Sequence, residues 1–530
     1  MNFKVFALAL LIFVVALVPR LYALEKEGVN PDERTWHNRV DQFTSALGGG
    51  DLMATQLTSH PGQTLLWLGA AVKKIGNFSG AFPYSVERFP VVHRAMVFPI
   101  ILITSATAVC VFLLLLKIAQ PLVALAGGLF VGLDPFFIAN SRVFQLDALL
   151  ASFMILSTLS LLIYLKDRRW AFLVFSAVMG GLAILTKLTA VFLIPYILLV
   201  LVIDLATASF NPSGLKSVTR RVFPAAAWLG MVGLVFVVLY PAMWSNPILA
   251  LKNVKWLLGQ QELLGAHPGT SFFLGKVVPE PGTLYYLFVL ALRSTPISFI
   301  FGAIGLVWGI KEFLKTKKSS YPLFLILYSL FFILQITIAS KKGNRYALPA
   351  VLGLDVLAAY GILNIKYWIL NTRARILDAQ YSISSIQYRV VFASLLFGFY
   401  LLLFVPLDSR YLSFYNPLFG GAKTARKTIV MGWGEGFYEV AQYLNQKPNA
   451  KELKVLSFFE SSLTPLFKGK VFKFGDVDDS KVDYLVFYVS QIQRGIDAEI
   501  VEKYFSLEKP EYIVKLNGVE YCWIFTGEPD

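Results

Sequence analysis

Long apolar runs separated by short polar breaks set the pattern of this 530-residue chain. The first extends from Val5 to Val18, behind Lys4 and ahead of Pro19-Arg20. Others fall at about 91–116, 121–139, 146–165, 170–186, 188–203, 222–240, 287–310, 321–339, 346–363 and 390–406. Most approach the roughly 20 residues with which a helix crosses a hydrocarbon core about 30 Å thick. In lipid a single strand leaves its backbone unsatisfied, whereas a helix does not. The pattern therefore predicts an all-α polytopic membrane region, residues 1–406, of about eleven transmembrane helices.

Charge placement orients these spans. No small-residue cleavage pattern follows the first run, so it reads as a signal anchor with its N-terminus in the cytoplasm. Short basic loops at 166–169, 216–221, 311–318 and 366–389 then fall inside, as the positive-inside rule expects. Three longer segments fall outside: 20–90, 241–286 and 407–530. The expected setting is the plasma (inner) membrane.

The polar segments carry patterns of their own. Trp36, Val40, Phe43 and Leu47 recur at helical spacing before Gly48-Gly49-Gly50, and Leu65, Leu66, Leu68 and Val72 do so after Pro61. They predict two helices lying on the membrane surface, with Trp36 and Trp67 at the interface. Ile248, Leu251, Val254, Leu257 and Leu258 form a similar stripe in the second outer loop. Beyond Asp408 the composition shifts to mixed charge, with short apolar segments at 454–459 and 484–489 and helical periodicity at 437–444. A small α/β domain at 407–530 is expected outside the membrane.

Composition narrows the function classes. Hydrophobic residues make up 56% and charged residues 15% of the chain, against about 25% charged in a soluble domain. The net charge of +15 resides mostly in the short loops, so orientation explains it and no nucleic-acid partner is implied. Two cysteines, Cys110 and Cys522, make no disulfide framework.

Candidate chemistry lies at the outer ends of the spans. The pair Asp32-Glu33 follows Asn30-Pro31 at the start of a predicted helix, where helix capping is the ordinary role of such acids. Asp147 begins a span after Arg142, and a carboxylate beside hydrocarbon is costly without a partner. Cations stand where orientation does not ask for them: Lys187 between two spans, Arg293 before Ser294-Thr295-Pro296, and Lys341-Lys342 with Arg345 before another span. Singly, each could extend to lipid phosphate. Together they form a candidate phosphate-binding collar, to which His60 and His267 add imidazoles.

These residues in this order resemble the integral-membrane glycosyltransferases of the GT-C class, in particular the protein O-mannosyltransferases and aminoarabinose transferases. Asp32-Glu33 is similar to the family's acidic pair in the first outer loop. His60-Pro61 with Trp67 resembles its basic residue and prolines, with Gly62 in place of the second proline. The stretch from Ser141-Arg142 to Leu146-Asp147-Ala148 resembles its arginine-to-aspartate segment, and Leu185-Thr186-Lys187 its Leu-Thr-Lys element. Arg345-Tyr346 through Pro349 and Tyr285-Tyr286 complete the likeness, which covers residues 1 to about 363.

The resemblance implies a GT-C fold and transfer of a sugar from a polyprenyl-phosphate donor to a protein, lipid or glycan acceptor. Asp32 would act as base, with Glu33 and Asp147 assisting. His60, Arg142, Lys187, Arg293, Lys342 and Arg345 would hold phosphate, and Tyr285, Tyr286 and Tyr346 would line the substrate cavity. No cofactor is required, and a divalent cation between Asp32 and Asp147 is compatible with the chemistry. A transporter or flippase of a lipid-linked sugar is the rival reading; it predicts charged or broken helices near the midplane and paired repeats.

Overall fold

The computed structural model describes residues 2–58, 60–78, 85–207, 215–264, 270–316, 320–339, 341–376, 395, 398–400 and 402–527. Much of the expected span at 390–406 and of the basic loop at 366–389, together with His267, lies outside the described residues. The helices of the membrane region are α1 (Phe3–Leu21), α2 (Glu33–Gly49), α3 (Gln63–Ile75), α4 (Phe89–Ile118), α5 (Pro121–Leu133), α6 (Pro135–Ser141), α7 (Asp147–Asp167) and α8 (Trp170–Thr186). They continue with α9 (Leu193–Thr207), α10 (Leu215–Leu239), α11 (Ala242–Ser245), α12 (Pro247–Leu264), α13 (Tyr285–Arg293), α14 (Pro296–Thr316), α15 (Tyr321–Ile338) and α16 (Leu348–Ile376).

Among the described residues six stretches are long and apolar enough to cross a membrane: α1, α4, α7, α14, α15 and residues 344–362. A seventh arises if α5 and α6, bent by 53°, count as one span. Much of the difference from the expected eleven lies in shorter apolar helices, such as 170–186 and 223–239. Two expected spans are broken. At 121–139 Asp134 accepts a hydrogen bond from the Phe137 N–H at 2.7 Å and Pro135 opens α6, a helix start inside the apolar run. At 287–310 the break is Pro296, which lacks the N–H needed to continue α13 into α14 and holds the preceding backbone extended.

Helix α7 is the axis of the bundle, its most apolar window wholly buried. Small residues let its neighbours approach closely. The Ser157 hydroxyl donates to Ser176 O at 2.8 Å, and Gly180 of α8 leaves room for the Trp228 ring. Gly361 of α16 is so near Phe301 O of α14 that a Cβ would stand 2.0 Å from it. Such contacts supply the van der Waals packing that replaces hydrophobic driving force in lipid.

The two loop helices form where the periodicity places them, with Trp36 turned into the protein rather than toward lipid. Trp36 is 5% exposed and packs inside the protein, and the Trp67 indole donates to Leu239 O at 2.9 Å. Beyond residue 408 a five-stranded sheet has the order β4-β3-β5-β7-β6. Here β1 (Ser271–Phe273) and β2 (Lys276–Val278) form a separate hairpin, followed by β3 (Lys454–Ser457), β4 (Lys470–Phe472), β5 (Tyr484–Tyr488), β6 (Tyr512–Leu516) and β7 (Val519–Thr526). Strand β3 runs parallel to β4 and β5, whereas β7 is antiparallel to both β5 and β6.

Candidate active site

The acidic pair is split by one turn of chain. The Asn30 side chain accepts from the Asp32 N–H at 2.9 Å and donates to Glu33 Oε1 at 2.9 Å, closing a turn that sends the two carboxylates apart. Asp32 occupies the cap position of α2 yet makes no capping hydrogen bond with its side chain. Its carboxylate, 42% exposed, instead takes Arg345 Nη2 at 2.8 Å.

From that contact an ionic chain crosses the end of the bundle. Arg345 Nε lies 3.2 Å from Asp147 Oδ2, and Asp147 Oδ1 lies 2.8 Å from Lys187 Nζ. Asp147 is the first residue of α7, Lys187 ends α8 in an extended conformation, and Arg345 sits in the short turn before α16. Two carboxylates and two cations thus balance in a site where Asp147 is 1% and Lys187 6% exposed. Balance is what makes such burial tolerable. The Lys187 ammonium lies 4.2 Å from the centre of the Tyr346 ring.

His60 borders this chain. Burial and the nearby positive charges of Lys187, Lys341, Arg39 and Arg345 push its pKa down to about 3, so its imidazole is neutral and offers an acceptor or N–H rather than a charge. The segment is pinned to the end of α8: Gly62 N–H donates to Thr186 O at 3.2 Å, and the Thr64 and Thr186 hydroxyls are 2.7 Å apart. Gly62 has φ +63°, closed to proline, and a Cβ there would stand 2.6 Å from the Trp36 ring. The departure from the family's second proline therefore follows from this backbone.

Tyr286 supports the site from below: its hydroxyl accepts from Gly343 N–H at 3.3 Å, two residues before Arg345. Tyr285 is equally buried and packs edge-on against it. Lys342 is directed to Glu280 at 2.6 Å and Ala339 O at 2.8 Å.

Arg142 and Arg293 stand elsewhere. Arg142 Nε pairs with Glu27 Oε2 at 2.9 Å, both side chains fully buried, and its other nitrogens donate to Pro19 O, Tyr22 O and Ala23 O. Glu27 in turn accepts from the Tyr411 and Leu412 N–H groups at 3.2 and 2.6 Å. Arg293 donates to Leu412 O, Phe414 O and the Tyr415 hydroxyl at 2.7–2.8 Å. Arg293 directly, and Arg142 through Glu27, thus hold residues 411–415 against the helices.

Glu33 points inward, with Oε2 3.2 Å from His93 Nδ1 of α4. Burial raises its pKa well above the ordinary carboxyl value and lowers that of His37, one turn along α2. Donor atoms of Glu33, His37 and His93 all lie within 4.8 Å of one another. Two imidazoles and a carboxylate are a donor set that suits zinc. Among the described residues this is the one cluster of three such side chains whose donor atoms approach so closely; between Asp32 and Asp147 stands the Arg345 guanidinium.

Two site residues escape the sequence pattern. Arg39 lies over the Trp36 ring at 4.6 Å and close enough to Asp32 to feel its charge. Trp433 places its ring 4.0 Å from the Arg345 guanidinium, although it belongs to the segment beyond residue 408. The only signal for it is its place among alternating glycines, Gly432, Gly434 and Gly436.

Comparison with known proteins agrees with this architecture. Residues 86–244 match the family described as dolichyl-phosphate-mannose-protein mannosyltransferase, a stretch that includes Asp147 and Lys187. The fold is similar to that of ArnT from Cupriavidus metallidurans in the apo state (TM-score 0.52, 14% identity, 97% of each chain covered). A structure of the same protein bound to undecaprenyl phosphate gives 0.51 at 13% identity, with the same coverage. It is likewise similar to the archaeal oligosaccharyltransferase AglB from Archaeoglobus fulgidus, in complex with an inhibitory peptide and a dolichol-phosphate (0.51, 13%, 98% of this chain and 74% of that one). No curated protein matches the chain significantly. The chain is an integral membrane protein that shares its fold with ArnT and AglB, and its residues 86–244 carry the likeness to the mannosyltransferase family.

Proposed function

We propose that the chain transfers a sugar from a polyprenyl-phosphate donor to an acceptor hydroxyl, with inversion, on the extracytoplasmic face of the inner membrane. The observation that carries this reading is the ionic chain Asp32–Arg345–Asp147–Lys187, which joins a half-exposed carboxylate to two cations at the end of an apolar bundle. A polyprenyl tail stays in lipid while its headgroup reaches that end, and ArnT and AglB have structures in complex with undecaprenyl phosphate and a dolichol-phosphate.

The arrangement has a use in this chemistry. While Arg345 holds Asp32, one carboxylate oxygen is engaged by the guanidinium. A donor phosphate entering between Arg345 and Lys187 competes for the same N–H groups and releases Asp32 as the substrate arrives. Asp32 then takes the acceptor proton as the hydroxyl oxygen attacks the anomeric carbon. The bond from that carbon to the phosphate oxygen breaks on the opposite side, through an oxocarbenium-like transition state by analogy with glycoside hydrolysis. Polyprenyl phosphate leaves with its growing charge stabilised by the two cations, with little need of a proton because its second pKa is about 6. Asp147 keeps both cations in place, and neutral His60 adds no repelling charge to them.

The test is reconstitution in liposomes with labelled polyprenyl-phosphate sugars and candidate protein, lipid and glycan acceptors. Loss of a general base lowers turnover about 10²–10⁴-fold, and Asp32→Asn is expected to fall in that range. Full transfer by folded Asp32→Asn protein removes Asp32 as the base.

A further inference from the structure

Arg345 contacts two carboxylates, and its working geometry depends on the plane of its guanidinium. A further contact on that guanidinium comes from the chain beyond residue 408. The Trp433 ring lies 4.0 Å from Arg345 Cζ, well inside the roughly 6 Å reach of a cation–π contact.

The loop carrying Trp433 is built to a fixed shape. Gly432, Gly434 and Gly436 all have positive φ, between +87° and +109°, so residues 432–436 follow a path that side chains rarely adopt. Gly434 N–H donates to the Tyr488 hydroxyl at 3.0 Å, which donates to Glu435 O at 3.0 Å, and the Glu435 carboxylate accepts from Trp433 N–H. Tyr488 is the last residue of β5, so the sheet braces the loop.

The same loop is pressed onto the segment that presents the proposed base. A Cβ on Gly434 would lie 2.3 Å from Val29 O, and one on Gly28 would lie 2.8 Å from Gly434 O. Backbone meets backbone three to four residues ahead of Asp32. The loop therefore packs its backbone on the segment leading to Asp32 and its indole on Arg345.

We infer that the 432–436 loop completes the active site, with Trp433 as a positioning residue that holds the Arg345 guanidinium in the plane from which it serves Asp32, Asp147 and an incoming phosphate. This rests on the transferase reading. Without the indole, Arg345 keeps its charge and its carboxylates but turns more freely about its last bonds. The loss then appears in the transition state, where the phosphate charge develops, more than in acceptor binding.

The experiment compares Trp433→Phe, Trp433→Leu and wild type, each first shown to melt as a folded protein in detergent. Phe keeps a π face and Leu only apolar bulk, so a space-filling role makes the two alike, whereas a cation–π role separates them. The expected result is kcat about tenfold lower for Leu, near wild type for Phe, and acceptor KM unchanged in both. Equal kcat values for Leu and Phe overturn the inference. Asp32→Asn runs in parallel to test the transferase reading itself. If wild type transfers nothing from any donor, binding of undecaprenyl phosphate decides instead: weaker for Leu than for Phe upholds the role of Trp433, and equal affinities end it.

Discussion

Arg345 is the residue on which the site turns, because one guanidinium spans Asp32 and Asp147 through different nitrogens. Lysine carries the same charge on a single rotating ammonium and cannot serve both acids at once. Arg345→Lys is therefore expected to lower kcat by more than about tenfold while the protein stays folded; wild-type turnover in a steady-state assay would show that the fork is dispensable. His60 gives a prediction of opposite character. Its pKa is lowered from 6.5 to about 3 by burial and four neighbouring cations. The native state thus favours the neutral imidazole, and the stability this confers is present above pH 6.5 and lost as pH falls towards 3. Melting temperatures measured from pH 7 to 4 should fall more steeply for wild type than for His60→Gln. Parallel curves would show that His60 takes no part in acid sensitivity. The four members of the ionic chain were legible in sequence because charge beside an apolar run needs a partner. The same signal marks Arg142 and Arg293, whose partners are mostly backbone carbonyls. Sequence position does not tell an arginine that pairs with the site carboxylates from one that ties down a turn.

At the scale of elements, hydrophobic runs locate helices better than they locate breaks. The loop helices α2 and α3 emerge from their periodicity, but the apolar stretches 121–139 and 287–310 each read as continuous although Pro135 and Pro296 divide them. Mean hydropathy averages over a proline, whereas the backbone cannot. The buried face of Trp36 was hidden for a related reason: an aromatic residue near a membrane end suits both the lipid interface and the wall of a pocket. What fixes Trp36 is the 60–62 turn, whose Gly62 leaves the space the ring fills. Gly62→Ala places a methyl group on that ring and strains a positive φ, a cost of the order of 1–3 kcal/mol. The expected outcome is a lower melting temperature together with a higher KM for donor, since His60 and Lys187 meet at this turn. A melting temperature equal to that of wild type would mean that the turn is not held as described.

At the scale of the whole molecule, the segment beyond residue 408 is joined to the bundle by buried polar contacts as well as by apolar surface. Glu27 receives two backbone N–H groups from 411–412, and Arg293 gives its own to Leu412 O and Phe414 O. Backbone groups buried at such a joint have no water to fall back on, so leaving them unpaired costs about 1–3 kcal/mol each. Arg293→Met preserves apolar volume and removes these donors. The protein should then be cut faster by protease between residues 408 and 416. The effect on turnover separates two views of the segment beyond residue 408. If the joint seats the 432–436 loop, Arg293→Met lowers kcat by the same route as Trp433→Leu, and the double variant loses less than the product of the two single losses. If the joint serves only to tether that segment, the losses multiply. A double-mutant cycle on kcat reads the difference directly, because Arg293 holds the backbone of Leu412 and Phe414, and those two residues belong to the apolar cluster against which Trp433 packs.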